Sequence, residues 1–478
     1  MPGIVSYGAY VPYYRLSRSV INKAWGRGGG NGEKAVAGFD EDTITIAVAA
    51  GMDCLNGIDP KLVDALYLAT TSSPYKERQN STIVSTVLDL RRETRNADFT
   101  NCLRAGTTAL LTAIDTIKAG SANTVMVTAA DTRLGGAAGG NEQSFGDGGA
   151  ALLLGNEQVA VEIEGSYTLS EDFPDYWRAH DDTFVRSWED RFGREEGYNK
   201  IPVEAVAAVM KKCNLSPNDF TKACIYGSNI GAHATVGKAM GFSPDQLQDP
   251  LLNTVGNTGA ALPLMILVAA LEEAEAGDRI LVVSWGNGCD ALVLRVTKEI
   301  ERIRDRRGIR RHLEMKRTLD NYEKYLRWRG LIPLEPAARP ETEPTSMSSL
   351  WREHKFTLPL YGVRCKKCDT PQMLLDFAST RPRICLECFA KDEFDKYRFA
   401  DKRARVVTFS HDYLAATDDP PNTLTVVDFD GGGRGSFEMI DRDPEECQIG
   451  MTVEMTFRKL FFSRGVHNYF WKCKPVRD

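Results

Sequence analysis

Residues 98–128 have the sequence DFTNCLRAGTTALLTAIDTIKAGSANTVMVT, which predicts a strand, a short turn, a helix and a second strand. The helix is expected over residues 104–118, because its apolar residues recur on one side: Leu110, Leu111, Ile114 and Ile117. A basic last turn followed by Gly120 suits the end of a helix. Cys102 therefore lies at the point where the first strand turns into this helix.

The same alternation of strands and helices extends over the first 297 residues. Five apolar, β-rich runs predict buried strands: residues 65–69, 124–128, 150–154, 223–226 and 279–284. Longer amphipathic or Ala-rich segments separate them, which indicates an α/β fold with a largely buried sheet. Around Asn257 a turn again leads into a helix and then a strand, so the fold is expected to be duplicated.

The composition and charge exclude several classes of protein. The chain has 478 residues, of which 42% are hydrophobic and 26% charged, and a net charge of −6. This charge gives no electrostatic reason to expect a nucleic-acid partner. The longest apolar run, residues 258–271, is too short to span a bilayer and predicts a buried helix. With no secretory signal at the N-terminus, we expect a cytoplasmic protein without membrane association.

The composition changes beyond residue 297. Residues 298–350 are predicted to form a charged helical extension and a Pro-rich linker, following an α/β domain over residues 1–297. Two smaller domains are expected after the linker, over residues 351–395 and 396–478. Short β-like runs separated by turn residues predict that the last of these is a small β-barrel.

Four cysteines give the strongest local signal. Cys365, Cys368, Cys385 and Cys388 form the pattern C-x2-C-x16-C-x2-C. Two such pairs bind one tetrahedral Zn²⁺ through four thiolates, and a closed site of this kind is structural. We therefore predict a zinc ribbon over residues 351–395. Four unmetallated thiols or redox pairs are the alternative.

Three motifs in the α/β domain each permit a catalytic and a structural role. Cys102 at a helix start is expected to favour its thiolate form, because it meets the positive end of the helix dipole. A structural role, in which Cys102 packs as a small buried apolar side chain, is an equally good explanation of the motif. The glycine turn at residues 145–151 is either functional or a structural hairpin, and Asn257 suits a helix cap as well as a catalytic amide.

The order of these motifs is informative. Cys102 is followed by Phe145-Gly146-Asp147-Gly148, Gly256-Asn257-Thr258 and Ser284-Trp285-Gly286-Asn287-Gly288. This order resembles the thiolase superfamily, in particular the archaeal type of hydroxymethylglutaryl-CoA (HMG-CoA) synthase. The resemblance covers roughly residues 1–332 and includes three further stretches: GIVSYGAYVP at 3–12, DEDTIT at 40–45 and YEKYLRWRG at 322–330. Residues 351–478 resemble the DUF35 family, in which a rubredoxin-like zinc ribbon precedes an OB-fold.

The resemblance implies a duplicated, layered thiolase-like fold, a coenzyme A thioester as substrate, and a homodimer or higher oligomer. It implies that Cys102 accepts an acyl group as a thioester and that Asn257 holds or polarises a carbonyl oxygen. The family's catalytic glutamate falls on Thr71 and its histidine on Tyr226. His233, one helical turn beyond Asn229, is interpreted as a helix-face residue rather than as a substitute for the histidine.

Threonine in place of the glutamate and tyrosine in place of the histidine change the function that we predict. A threonine cannot act as the carboxylate base that forms an acetyl-CoA enolate, and a tyrosine cannot carry the charge of a histidine. We therefore predict an acyl-CoA-dependent enzyme that forms or cleaves a carbon–carbon bond through Cys102, with Tyr226 and Asn257 stabilising an oxyanion, but not an HMG-CoA synthase. The alternatives are a cysteine-independent aldolase or retro-aldolase, and a non-catalytic acyl-CoA-binding scaffold for a partner thiolase. An OB-fold also permits single-stranded nucleic-acid binding, but the acidic balance and the thiolase-like companion favour acyl-CoA.

Overall fold

The structure is a computed structural model that describes residues 2–335, 346–373 and 382–477. The chain divides into two compact units. The first comprises Met1–Gly38, Asp42–Ser85 and Leu90–Leu331, and the second comprises Phe39–Glu41, Thr86–Asp89 and Ile332–Asp478. Residues 336–345, within the predicted Pro-rich linker, lie outside the described residues.

The first unit contains fourteen strands. They are β1 (Gly3–Tyr10), β2 (Tyr14–Ser17), β3 (Glu33–Val36), β4 (Ala65–Thr70), β5 (Arg95–Thr100), β6 (Val125–Asp131), β7 (Gly148–Gly155), β8 (Val161–Ser170), β9 (Tyr176–Trp177), β10 (Arg186–Ser187), β11 (Lys222–Ile225), β12 (Arg279–Trp285), β13 (Gly288–Val296) and β14 (Arg317–Thr318). The five strands predicted from apolar runs correspond to β4, β6, β7, β11 and β12. The α/β prediction is therefore confirmed.

Twelve helices lie in the same part of the chain. They are α1 (Arg18–Ala24), α2 (Thr43–Cys54), α3 (Asn80–Val87), α4 (Ala105–Lys118), α5 (Gly140–Ser144), α6 (Asp190–Phe192), α7 (Ile201–Cys213), α8 (Ile230–Ala239), α9 (Leu262–Leu271), α10 (Ile300–Ile303), α11 (Arg310–Glu314) and α12 (Tyr322–Trp328). Among the described residues, no helix has both the length and the apolar character needed to cross a membrane.

Nine of the strands form one sheet in the order β11-β12-β13-β8-β1-β7-β6-β4-β5. The pairs β4–β5, β4–β6 and β11–β12 are parallel, and the other pairs in this sheet are antiparallel. β1 and β8 share only two paired positions, Gly3–Glu162 and Ile4–Val161. One half of the sheet thus contains one parallel pair and the other contains two, and the halves are joined only by the short β1–β8 pairing.

Helix α9 packs against both halves of the sheet. It contacts β7 and β1 on one side and β11 and β12 on the other, and all its residues except Ala269 are buried. This confirms the buried helix expected over residues 258–271. Because α9 is buried on nearly all sides, it carries apolar residues on every face and is not amphipathic.

The starts of α4 and α9 approach each other at Gly106. A Cβ atom at this position would lie 2.5 Å from the carbonyl oxygen of Ala260, so only glycine fits without displacing backbone. Gly106 is four residues after Cys102, and Ala260 is three residues after Asn257. The contact therefore fixes the two helix starts that carry the predicted catalytic residues.

In the described part of the second unit there are helix α13 (Met347–Thr357) and eight strands. They are β15 (Tyr361–Cys365), β16 (Pro371–Gln372), β17 (Phe394–Arg398), β18 (Arg403–Asp412), β19 (Asn422–Phe429), β20 (Arg434–Glu438), β21 (Thr452–Ser463) and β22 (Val466–Pro475). A three-stranded sheet has the order β16-β15-β17, and a five-stranded antiparallel sheet has the order β20-β19-β18-β21-β22. The five-strand arrangement agrees with the small β-barrel predicted from the sequence.

Candidate functional site

Cys102 lies in the turn between β5 and α4, as predicted. Asn101 has a φ of 67°, which reverses the chain, and the amide of Ala105 donates a hydrogen bond to the Cys102 carbonyl oxygen at 3.0 Å. The thiol is half-buried and donates to the carbonyl oxygen of Gly286 at 3.2 Å. A Cβ atom on Gly286 would lie 2.8 Å from that of Leu103. Glycine at 286 therefore allows the loop to reach the cysteine.

Burial and the neighbouring Arg104 cation shift the pKa of the Cys102 thiol in opposite directions. Burial raises the pKa of Cys102, while the backbone amide and guanidinium of Arg104 lower it, and the net shift is upward. The Arg104 side chain is held by the Gly286 carbonyl at 3.0 Å and by Asp290 at 3.0 Å. From the helix start alone we expected the thiolate to be favoured. This expectation is wrong, because burial raises the pKa of Cys102 by more than Arg104 lowers it.

Tyr226 and Asn257 form a buried hydrogen-bonded pair. The amide oxygen of Asn257 accepts from the backbone amide of Gly259 at 2.9 Å, which directs its Nδ2 toward Tyr226. Nδ2 donates to the Tyr226 hydroxyl oxygen at 2.8 Å. Because that oxygen accepts this bond, the hydroxyl hydrogen can be donated to an oxygen of a substrate.

Burial raises the pKa of Tyr226 to about 12, while Arg133 and Asn257 lower it. The phenol is therefore neutral near pH 7. It can donate a hydrogen bond but cannot act as a ready base. Its backbone is also fixed, since its amide donates to the Val283 carbonyl at 2.9 Å.

The Phe-Gly-Asp-Gly turn supports Asn257. The backbone amide of Asn257 donates to the Ser144 carbonyl at 2.7 Å, and its carbonyl accepts from Gly146 at 3.1 Å. A Cβ atom on Gly146 would lie 1.8 Å from the Val255 carbonyl oxygen, so only glycine allows this approach. Asp147 forms an ion pair with Arg329 at 3.0 Å, which connects this turn to the YEKYLRWRG stretch.

Thr71 is held by Asp131. The Thr71 amide donates to Oδ1 of Asp131 at 2.7 Å, and its hydroxyl donates to Oδ2 at 2.9 Å. Three more donors contact the same carboxylate: the Thr70 hydroxyl at 2.8 Å, the Ser72 hydroxyl at 2.7 Å and the Ala260 amide at 2.8 Å. The position where the family resemblance expects a glutamate is thus a neutral donor.

Sequence reasoning missed Asp131 and Arg133. Both are buried, Asp131 as the last residue of β6 and Arg133 two residues beyond it, and no spacing pattern distinguished them. A charged Asp-Thr-Arg triplet directly after an apolar strand was the available signal. His233 is buried on α8, and burial lowers its pKa, so it is uncharged near pH 7.

The four cysteines of the second unit form one cluster. Their sulfur atoms all lie within 4.8 Å of one another. The Sγ atoms of Cys365 and Cys388 are 3.6 Å apart, and those of Cys368 and Cys385 are 3.5 Å apart. Tetrahedral zinc with Zn–S bonds of 2.3 Å requires sulfur separations of about 3.8 Å. The residues therefore fit the predicted metal.

Comparison with known proteins identifies both parts of the chain. A family model for the C-terminal part of 3-oxoacyl-[acyl-carrier-protein] synthase III matches residues 210–296. The HMG-CoA synthase of Methanopyrus kandleri is 35% identical over 316 residues, which are 64% of this chain and 90% of that protein. The chain belongs to the HMG-CoA synthase family.

Solved structures agree with this family assignment at the level of the fold. A structure titled "MvaS in complex with 3-hydroxy-3-methylglutaryl coenzyme A" has a TM-score of 0.61 and 19% identity, covering 72% of this chain and 94% of that one. The 3-oxoacyl-[acyl-carrier-protein] synthase III of Aquifex aeolicus has a TM-score of 0.54 and 19% identity, covering 62% and 100%. The duplicated thiolase-like fold is therefore confirmed.

The remaining part of the chain belongs to a second domain type. A family model for the C-terminal OB-fold domain of ChsH2 matches residues 397–458. The chain is thus an acyltransferase of the thiolase superfamily that also carries a DUF35-type OB-fold domain. As a member of the HMG-CoA synthase family, it is a condensing enzyme of the Claisen type.

The opposing effects on the Cys102 thiol predict a specific pH dependence. The rate of alkylation of Cys102 by iodoacetamide should rise with pH through a midpoint above the ordinary thiol value of about 8.5, because burial disfavours the thiolate. An Arg104→Met variant should move this midpoint further upward, since it removes a positive charge that stabilises the thiolate.

The rate is measured by quantifying the modified Cys102 peptide by mass spectrometry at each pH. Arg191→Met serves as the control, because Arg191 is exposed and pairs with Glu195. A midpoint at or below the ordinary thiol value, or one unmoved by Arg104→Met, would contradict the prediction.

Proposed function

We propose that this enzyme forms or cleaves a carbon–carbon bond beside a CoA thioester through an acyl-Cys102 intermediate, and that it is a poor HMG-CoA synthase. The observation that carries the proposal is the buried Tyr226–Asn257 pair, whose hydroxyl hydrogen remains available for a substrate oxygen. Family membership supports the acyl-CoA substrate.

The first step transfers an acyl group to Cys102. The Cys102 sulfur attacks the thioester carbonyl, the carbonyl bond to the CoA sulfur breaks, and CoA leaves as the thiol. The proton lost by Cys102 balances the one gained by CoA. The net pKa shift of Cys102 is upward, so the thiol form is favoured before the attack and its proton is lost in the course of this step.

Tyr226 and Asn257 would act on the carbonyl oxygen of the second reactant. A neutral phenol and a carboxamide donate hydrogen bonds without bringing a charge of their own. Fixed donors of this kind stabilise the negative oxygen that develops in an enolate or tetrahedral intermediate. The same two donors serve condensation and its reverse, since both reactions pass through the same intermediate.

HMG-CoA synthesis from acetyl-CoA needs a further group, a base that removes a proton from the acetyl methyl group. The resemblance places that base at residue 71, where Thr71 donates both its polar hydrogens to Asp131. Tyr226 has a pKa of about 12, so it does not supply the missing base near pH 7. Synthase activity is therefore expected to be weak.

Two other functions remain as alternatives. A cysteine-independent aldolase or retro-aldolase would use the Tyr226 hydroxyl for proton transfer and would leave Cys102 without a role. A non-catalytic scaffold would bind acyl-CoA and pass it to a partner thiolase. The position of Cys102 favours the acyl-enzyme, because the thiol is half-buried and lies just before α4, whose N-terminal end stabilises a developing negative charge.

We also propose that Cys365, Cys368, Cys385 and Cys388 bind one structural zinc ion. The cluster has four sulfur ligands at separations that suit tetrahedral zinc. A site with four thiolates has no position for a substrate or a water molecule. The ion would stabilise the ribbon and take no part in the reaction.

The acyl-enzyme is tested by incubating the protein with a panel of acyl-CoAs and measuring its intact mass. One acyl group should be added per chain, and peptide mapping should place it on Cys102. Cys102→Ala should abolish both the adduct and turnover. Cys213→Ala should keep both, because Cys213 is another half-buried thiol, located on α7.

The outcomes separate the three functions. Turnover that survives Cys102→Ala would support the aldolase instead. Binding of acyl-CoA without any adduct or turnover would support the scaffold. An adduct on another cysteine would contradict the proposed role of Cys102.

Metal analysis tests the zinc proposal. The purified chain should hold one zinc, and Cys365→Ser should lose it and destabilise the second unit, because a closed site contributes folding energy. Cys447→Ser is the matched control, since Cys447 lies in the same unit outside the cluster. Well below one zinc per chain, or full occupancy in Cys365→Ser, would refute the proposal.

A further inference from the structure

Arg133 is a buried cation that the steps above do not use. Its side chain is only 5% exposed, and among the described residues its Nη1 atom has no hydrogen-bond partner. A buried polar atom without a hydrogen-bond partner is costly, and a group that binds there and completes its hydrogen bonds is one explanation for it. The unpartnered Nη1 atom of Arg133 therefore points to a group that is absent from the described residues.

The surroundings of Arg133 place its guanidinium beside the Tyr226–Asn257 pair. The guanidinium carbon lies 4.0 Å from the centre of the Phe145 ring and 5.3 Å from that of Tyr176. Phe145 forms a parallel backbone bridge with Asn257. Aromatic faces thus position the cation directly next to the residue that holds Tyr226.

The stem of Arg133 is fixed at the same place. A Cβ atom on Gly259 would lie 2.7 Å from Cδ of Arg133 and 2.4 Å from Oδ2 of Asp131. Gly259 also donates the hydrogen bond that orients the Asn257 amide. Arg133 and Asp131 therefore flank the turn that carries Asn257, and the stem has little freedom to move away.

Among the described residues, the acidic residues near this cation form no hydrogen bond with it. Both oxygens of Asp131 accept hydrogen bonds from other donors: Thr70, Thr71, Ser72 and Ala260. Burial raises the pKa of Asp175 while the charge of Arg133 lowers it, and this carboxylate accepts a hydrogen bond from the Trp285 indole at 2.8 Å. The Nη1 hydrogens of Arg133 thus remain for a group that comes from outside.

We propose that Arg133 binds a carboxylate on the acyl group of the substrate, so that the enzyme prefers carboxyacyl thioesters over neutral acyl thioesters of the same length. The planar fork of a guanidinium matches the two oxygens of a carboxylate, and charge-assisted hydrogen bonds of this kind are the strong ones. Binding would neutralise the buried cation and fix the acyl chain against Tyr226 and Asn257. The carboxylate is a recognition group and stays on the acyl chain. This inference rests on the proposed acyl-CoA function.

Equilibrium binding provides the test, measured calorimetrically on the full chain carrying Cys102→Ala so that no acyl transfer occurs. Three pairs of thioesters are matched in chain length: malonyl- and propionyl-CoA, succinyl- and butyryl-CoA, and glutaryl- and valeryl-CoA. In at least one pair the carboxylated member should bind about 10- to 100-fold more tightly, the range that a charged hydrogen bond supplies. Adding Arg133→Met should remove this preference and leave the affinity for the neutral member largely unchanged.

Two further variants complete the test. Arg178→Met is the matched control, because Arg178 is exposed and donates to the Thr71 carbonyl at 2.9 Å, so its loss should affect both members of a pair equally. Arg133→Lys keeps the charge but not the fork, and should reduce the preference several-fold. This variant also provides a result if Arg133→Met fails to fold.

Each remaining outcome overturns the proposal. Equal binding within every pair, or a preference that survives Arg133→Met, would exclude carboxylate recognition while leaving acylation of Cys102 intact. Equal weakening of both members by Arg133→Met would make Arg133 a positioning residue for Tyr226. No measurable binding of any thioester would contradict both this inference and the proposed function.

Discussion

The buried carboxylate of Asp131 is the interaction on which the geometry of the site depends. It accepts five hydrogen bonds, from Thr70, Ser72, Ala260 and both donors of Thr71. These donors come from the end of β4 and from the turn before α9, while Asp131 itself ends β6. A carboxylate at 0% exposure is tolerated only with such a set of donors. One side chain thus joins the three segments that surround Asn257.

The hydrogen bonds between Asp131 and Thr71 also limit which reactions the site can support. Because Asp131 takes both donors of Thr71, the position expected to carry a catalytic glutamate has a structural role. The reactive groups that we propose are a half-buried thiol at Cys102, a neutral phenol at Tyr226 and an oriented amide at Asn257. This set suits acyl transfer and stabilisation of an oxyanion, and it lacks a carboxylate base. Beside the Tyr226–Asn257 pair lies the buried cation of Arg133, whose Nη1 atom has no hydrogen-bond partner among the described residues.

The sequence was sufficient for features that depend on local pattern or motif order. The alternating apolar runs predicted β4, β6, β7, β11 and β12, and the cysteine spacing predicted the four-sulfur cluster. Tertiary contacts were not predictable in the same way. The net upward pKa shift of Cys102 follows from burial beside the Gly286 loop, which is 184 residues away along the chain. Asp131 and Arg133 carry no spacing signal, because their partners lie on other strands and turns.

A condensation assay tests the central claim most directly. The enzyme is supplied with acetyl-CoA and acetoacetyl-CoA, and free CoA and HMG-CoA are followed together. Loss of a general base costs about 10²- to 10⁴-fold in rate, so the account predicts turnover far below a typical ~10 per second. It also predicts that a Thr71→Glu, Tyr226→His double variant recovers part of the activity. Wild-type turnover near the typical rate would show that another residue serves as the base and would contradict the account.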